Sequence, residues 1–117
     1  MRYMLLIYTD ESLAATASEA DMQAIMAAYY AYDAETMAAG VHQLGEALNS
    51  VTTAKTVRVR NGKSLVTDGP YAETKEQLGG FYTLQCKDLD EAILWATKCP
   101  GIKSAPIEIR PLVDYAA

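Results

Sequence analysis

The chain has 117 residues, 10 Lys+Arg against 15 Asp+Glu, a formal net charge of -5 and 50% hydrophobic residues. That length suits a single core, since about 100–150 residues is the usual size of one domain, and 21% charged residues is too few for a chain that stays disordered. An acidic sequence without a block of Lys and Arg repels phosphates, which argues against nucleic acid and against an anionic membrane surface as partners.

Residues 3–8, Tyr-Met-Leu-Leu-Ile-Tyr, put Tyr3, Leu5 and Ile7 on one face of a strand and Met4, Leu6 and Tyr8 on the other. Both faces are apolar, so the strand is expected to be central. The stretch is too short for a signal-peptide core and runs into Thr9-Asp10-Glu11 without a cleavage site. No segment reaches the roughly 18 apolar residues of a spanning helix, and the expected location is the cytoplasm. Ser18 with an acid three positions on, at Asp21, predicts a helix N-cap, and the Ala/Met-rich run that follows ends at Gly40. Met22, Ile25, Met26, Tyr29 and Met37 share one stripe of that helix and are expected to face the core. Asp33 falls on the same stripe, four positions after Tyr29 and four before Met37.

Residues 55–67 predict a hairpin. Asn61-Gly62 between alternating runs supplies the positive φ of a type I′ turn. A two-residue loop pairs Arg60 with Lys63, and counting outward sets Val57 opposite Val66 and Lys55 opposite Asp68. Residues 80–86 predict the next strand. Asp88 caps a second helix with Leu89, Ala92, Ile93 and Ala96 on a narrow stripe, stopped by Cys99-Pro100-Gly101. Residues 106–113 predict a last strand at an edge, because Pro111 cannot donate to a ladder. The order β-α-(β hairpin)-β-α-β over a single domain, residues 1–117, predicts an α+β, ferredoxin-like split βαβ fold with an antiparallel sheet and two helices on one face. The doubly apolar first strand leaves one sheet face uncovered, and a homodimer that stacks this face on its copy is the expectation.

The candidates for chemistry are few. His42 is the one side chain of a type that ordinarily titrates near neutrality and is a candidate acid or base. Asp33, a carboxylate on a packed stripe, is either paired there, turned to solvent, or poised for acid–base work, and Tyr residues are available as its partners. Asp68-Gly69-Pro70 has turn chemistry, with Asp68 either paired to Lys55 or functional. The polar run after it makes Tyr71, Glu73 and Lys75 candidate ligand contacts. Cys86 and Cys99 lack a redox or zinc spacing and are expected to be reduced thiols. Gly79-Gly80 precedes a strand and not a helix, so no phosphate cradle is predicted; neither a metal site nor a cofactor is expected.

Residues 67–81, Thr-Asp-Gly-Pro-Tyr-Ala-Glu-Thr-Lys-Glu-Gln-Leu-Gly-Gly-Phe, resemble the signature of the DGPF-domain proteins, part of the YCII-related family, with Asp-Gly-Pro-Tyr standing for Asp-Gly-Pro-Phe. Residues 1–8, 56–60 and 88–92 are similar to the family's opening strand, hairpin and second helix cap. The resemblance implies a ferredoxin-like fold pairing into a dimeric α+β barrel. It also implies a link to extracytoplasmic-function sigma factors and relatives that use a His and an Asp in a cleft. The His of those relatives lies early in the first helix, where this chain has Ala20, Asp21, Met22 and Gln23. The expected function is small-molecule binding or cofactor-independent catalysis in a cleft between paired sheets, with His42, Asp33 or Asp68 as acid or base and Tyr71, Glu73 and Lys75 contacting the ligand. The alternative is a non-catalytic regulatory or protein-interaction module.

Overall fold

Strand β1 (Arg2–Thr9) lies inside a four-stranded antiparallel sheet, between β5 (Gln77–Gln85) and β6 (Ile107–Pro111), with β2 (His42–Ala47) on the outer side of β5. The computed structural model describes residues 1–116. Helices α2 (Glu19–Ala38) and α3 (Leu89–Lys98) follow β1 and β5, and a short α1 (Glu11–Thr16), capped by Asp10, precedes α2. The split βαβ arrangement expected from the element order is therefore present, with β1 central and β6 at an edge as its apolar pattern and Pro111 require. Among the described residues no helix is long and apolar enough to cross a membrane.

The core lies on the helix side of the sheet. Leu5 and Leu84 are fully buried, flanked by Tyr3, Ile7 and Tyr82 from the same face and by Tyr32, Ala92, Trp95 and Ala96 from the helices. The cap of α2 forms in both directions, Ser18 Oγ accepting from Asp21 N–H and Asp21 accepting from Ser18 N–H. Asn61 and Gly62 take φ of 51° and 74°, and the hairpin they close pairs Arg60 with Lys63, Val57 with Val66 and Lys55 with Asp68, the expected register.

Three expectations are corrected. The hairpin, β3 (Lys55–Arg60) and β4 (Lys63–Asp68), forms a two-stranded sheet of its own, and β2 takes its place as the fourth strand of the main sheet. Its sequence, His-Gln-Leu-Gly-Glu-Ala, carries little β-propensity; pairing with β5 along an edge, not its own composition, makes it a strand. In α2 the buried side chains are Tyr32 and Thr36, while Met22, Ile25, Met26 and Met37 are all more than half exposed. Alanines on every side of the helix leave its hydrophobic direction weakly defined, so aromatic packing and hydrogen bonding select the buried face. In α3 the buried positions are Ala92, Trp95 and Ala96, and Leu89 and Ile93 are turned outward.

Cys86 and Cys99 are both buried free thiols. Burial, followed by the nearby Glu91 carboxylate, pushes the Cys86 thiol up to about 11, and burial raises Cys99 as well. Because the thiolate is the reactive form, neither thiol should react with Ellman's reagent in the folded protein, and both should react in denaturant without reductant. Recovery of fewer than two thiols after unfolding would show a bridge that this fold does not contain.

Candidate functional site

A cavity of about 440 Å³ opens between α2 and the half of the sheet formed by β2 and β5. Ile25, Met26, Tyr29 and Tyr30 of α2 form one wall, and Gly45, Gly79 and Gly80 expose backbone on the other. Asp33 is the one charged side chain facing it among the described residues, since Glu46 borders it by its backbone and pairs with Phe81 on the opposite face of the sheet. The cavity is mostly apolar, carries the Asp33 carboxylate, and sits on the helix-covered face of the sheet within one chain.

Asp33 is half-buried one position after buried Tyr32. The Tyr82 hydroxyl donates to Asp33 Oδ1 at 2.6 Å, and Asp33 Oδ2 receives no hydrogen bond from the described residues. Burial first, and then this hydrogen bond, raise the Tyr82 phenol well beyond the ordinary phenol range. The proton therefore stays on Tyr82, which donates to Asp33 at the cavity wall. Burial raises Tyr29 in the same direction. A short donor to a carboxylate in an apolar setting is worth more than its counterpart in water.

The Tyr82 ring is fixed from three sides. Tyr32 meets it edge-on at 5.2 Å and His42 at 5.9 Å. Gly45 lies against it, and a Cβ there would come within 2.5 Å of ring atom Cε1. His42, the first residue of β2, is half-buried and outside the cavity lining. Its Nδ1 lies 3.1 Å from Thr36 Oγ1, and Thr36 donates its one hydroxyl hydrogen to the Asp33 carbonyl at 3.0 Å. Both contacts are satisfied when Nδ1 carries the ring hydrogen. Asp33, His42, Thr36 and Tyr82 thus form one connected group.

The other predicted residues stand elsewhere. Asp68 ends β4, is largely exposed and pairs with Lys55. Tyr71 is 77% exposed, with the Arg58 guanidinium 5.1 Å above its ring. Glu73 is exposed. Lys75 reaches Asp10 at 3.8 Å and borders a shallow groove with Tyr8 and Glu108. Residues 68–75 follow the separate hairpin and so do not line the main cavity. Glu46 and Gly45, which do line it, carried no signal beyond a glycine in a short polar segment. Among the described residues no cluster of His, Cys, Asp and Glu gathers at metal-binding separations.

Gly45→Ala should cost about 1–3 kcal/mol by overpacking the Tyr82 ring, read as a lower urea midpoint with an unchanged slope. A variant as stable as the parent would mean that the ring has room that the geometry denies it.

Comparison with known proteins agrees with this architecture. The chain is 38% identical over 119 residues to an uncharacterized protein of Rhizobium meliloti (strain 1021), covering 98% of this chain and 94% of that one. It is similar in structure to the 5-chloro-2-hydroxyhydroquinone dehydrochlorinase of Burkholderia phenoliruptrix AC1100, solved in complex with 2,5-dihydroxybenzoquinone. The TM-score is 0.50 at 14% identity, over 97% of this chain and 94% of that one, a likeness of fold. The YCII-related domain matches residues 1–116, and the chain belongs to that family.

Proposed function

We propose that this protein binds a small neutral ring compound bearing hydroxyl or amine hydrogens in the cavity between α2 and the sheet, and that Asp33 accepts a proton from it. The observation that carries this reading is the Asp33–Tyr82 pair in a mostly apolar cavity. A volume of about 440 Å³ falls within the range of about 300–1,000 Å³ typical of small-molecule sites. The apolar walls suit a ring. With the Asp33 carboxylate and no cation in the lining, a hydrogen-bond donor is favoured over a carboxylate or phosphate ligand. The dehydrochlorinase of similar fold likewise holds a single-ring compound, 2,5-dihydroxybenzoquinone.

In this reading Asp33 is the base. Tyr82 remains protonated and orients the Asp33 carboxyl group by its hydrogen bond, and His42 acts through the Tyr82 ring and Thr36 as a positioning residue. A base of this sort contributes about 10²–10⁴-fold to a proton-transfer step. A thermal-shift screen of catechols, hydroquinones and aromatic amines against the corresponding benzoates tests it. The neutral donors should raise the melting temperature, as any ligand of the native state does, and the benzoates should not. Asp33→Asn should abolish the shift while the protein stays folded. An undiminished shift in that variant would remove Asp33 from the site.

A homodimer through the uncovered sheet face accompanies this proposal. Met4, Leu6, Tyr8 and Phe81 are half-buried on that face, with no helix over them, and a two-fold copy would cover them. Sedimentation at micromolar concentration should give twice the 12.7 kDa chain mass, and Leu6→Lys should reduce it to the monomer. A monomeric parent protein would contradict the pairing.

A further inference from the structure

The cavity is longer than a single ring held by Asp33. Ile25 and Asp33 both line it from α2, and their separation of eight positions spans about 12 Å at a rise of about 1.5 Å per residue. The sheet gives the same length. Leu5 lies opposite Tyr82, and Thr9, also in the lining, stands four residues further along β1, about 13 Å at roughly 3.3 Å per residue. The volume agrees: at about 30 Å³ for each water-sized atom, about 440 Å³ has room for roughly fifteen non-hydrogen atoms. A ring with two hydroxyls fills about half of that.

The two ends of the cavity differ in chemistry. At one end stand Asp33 and Tyr82, joined by their hydrogen bond. At the other, the hydroxyl of half-buried Thr9 makes no hydrogen bond among the described residues, where no fully buried side-chain oxygen or nitrogen lacks a partner. This hydroxyl is therefore open to accessible space, and the space that Thr9 lines is the cavity. The floor beside it is bare backbone. Ile7 pairs with Gly80 and Tyr8 with Leu78, so Gly79 is the extra residue of a bulge. A Cβ on Gly79 would come within 2.6 Å of Thr9 Cγ2, and one on Gly80 within 2.9 Å of the Glu46 carbonyl oxygen. Between the two ends Ile7, Ile25 and Met26 supply apolar surface.

We propose that the Thr9 end is a second subsite for the same ligand, and that the ligand is a phenol-type ring with an uncharged tail. The ring hydroxyl meets Asp33, the tail runs between Ile25 and the Gly79–Gly80 backbone, and its far end, an amide, ketone or alcohol, hydrogen-bonds the Thr9 hydroxyl. This rests on the reading of Asp33 as the group that receives the ring. Charge selects the kind of tail. No charged side chain lines the Thr9 end, so a terminal ammonium or carboxylate would lose its water there without gaining a counter-charge. A threonine hydroxyl both donates and accepts, which suits a neutral polar end of either sense.

Isothermal titration calorimetry of the full chain with phenol and four para-substituted phenols tests the subsite. The tails are apolar in para-butylphenol, a neutral amide in N-acetyltyramine, cationic in tyramine and anionic in para-hydroxyphenylpropionate. N-acetyltyramine should bind the parent at least about tenfold more tightly than phenol, equivalent to 1.4 kcal/mol, and more tightly than either charged compound. Thr9→Val, which keeps a good strand former in β1, should weaken N-acetyltyramine about three- to tenfold and leave phenol and para-butylphenol unchanged. Ile25→Trp, at the half-exposed rim, should weaken both of these tailed compounds and not phenol. Equal affinity of the parent for phenol and N-acetyltyramine would overturn the subsite and leave Asp33 in its role. A Thr9→Val variant that binds N-acetyltyramine like the parent, or that weakens every phenol alike, would remove the Thr9 hydroxyl from the contact. Preference for tyramine or para-hydroxyphenylpropionate would overturn the uncharged tail. Phenol binding that survives Asp33→Asn would overturn the reading of Asp33 instead, and a parent that binds none of the five would overturn both.

Discussion

Helix α2 is held to α3 and to the sheet by two hydrogen-bonding side chains, and the rest of the structure follows from that choice. Tyr32 is 3% exposed, donates to the Trp95 carbonyl at 2.8 Å, and packs edge-on against both Tyr82 and Trp95. Thr36 is fully buried and linked to His42. A buried hydroxyl must find a partner or cost about 1–3 kcal/mol, so each of these contacts fixes the rotation of the helix more sharply than an aliphatic side chain would. Placing Tyr32 and Thr36 inward puts Asp33 beside Tyr82, leaves Ile25 and Met26 on the cavity rim, and turns Met22 and Met37 to the outside. The Lys98 ammonium adds a clamp between the helices by pairing with Glu35 and lying 5.1 Å over the Trp95 ring, a contact at the surface and correspondingly weak.

This attachment explains why the site is polar at its centre and apolar at its edge. Tyr82 belongs to the core by burial and to the site by its hydroxyl. The core that keeps its ring still therefore also keeps the carboxylate partner still. Gly45 belongs to the same device. Its missing side chain leaves the space that the ring occupies, so the edge strand β2 serves the site by backbone proximity as much as by His42.

Much of this was legible in the sequence where local rules decide. The central first strand, the Ser18 cap, the Asn61-Gly62 turn with its register and the edge position forced by Pro111 each follow from one or two residues and short-range geometry. Asp33 was visible as a carboxylate out of place on a helix stripe. The buried face of α2 was not visible, because methionine and isoleucine at helical spacing normally mark a core, and only tertiary hydrogen bonding shows that Tyr32 and Thr36 outrank them. The fourth strand was hidden for the opposite reason. β2 has too little intrinsic preference to announce itself, while the strongly patterned hairpin beside it offered a better candidate and stands outside the main sheet. Residues 68–75 drew attention through their motif and length, and the structure places them at the base of the β3–β4 hairpin, away from the cavity.

The base of the β3–β4 hairpin shows how a projecting ribbon keeps its direction. Glu11 of α1 accepts from Ser50 Oγ at 2.7 Å and from Val51 N–H at 3.0 Å, tying the turn that enters β3 to the helix that leaves β1. Across the base, the Gly69 N–H donates to the Ala54 carbonyl at 2.8 Å and Thr56 Oγ1 to the Gly69 carbonyl at 2.9 Å. The Ser50 hydroxyl, followed by the Val51 amide, holds the Glu11 carboxyl below its ordinary value. A depressed carboxyl stabilises the native state above its unfolded pKa, and that contribution is lost as pH falls through the folded value. The tie is therefore complete at neutral pH and released only in acid. The direction of the β3–β4 hairpin is thus set by hydrogen bonds at its root and not by packing along its length.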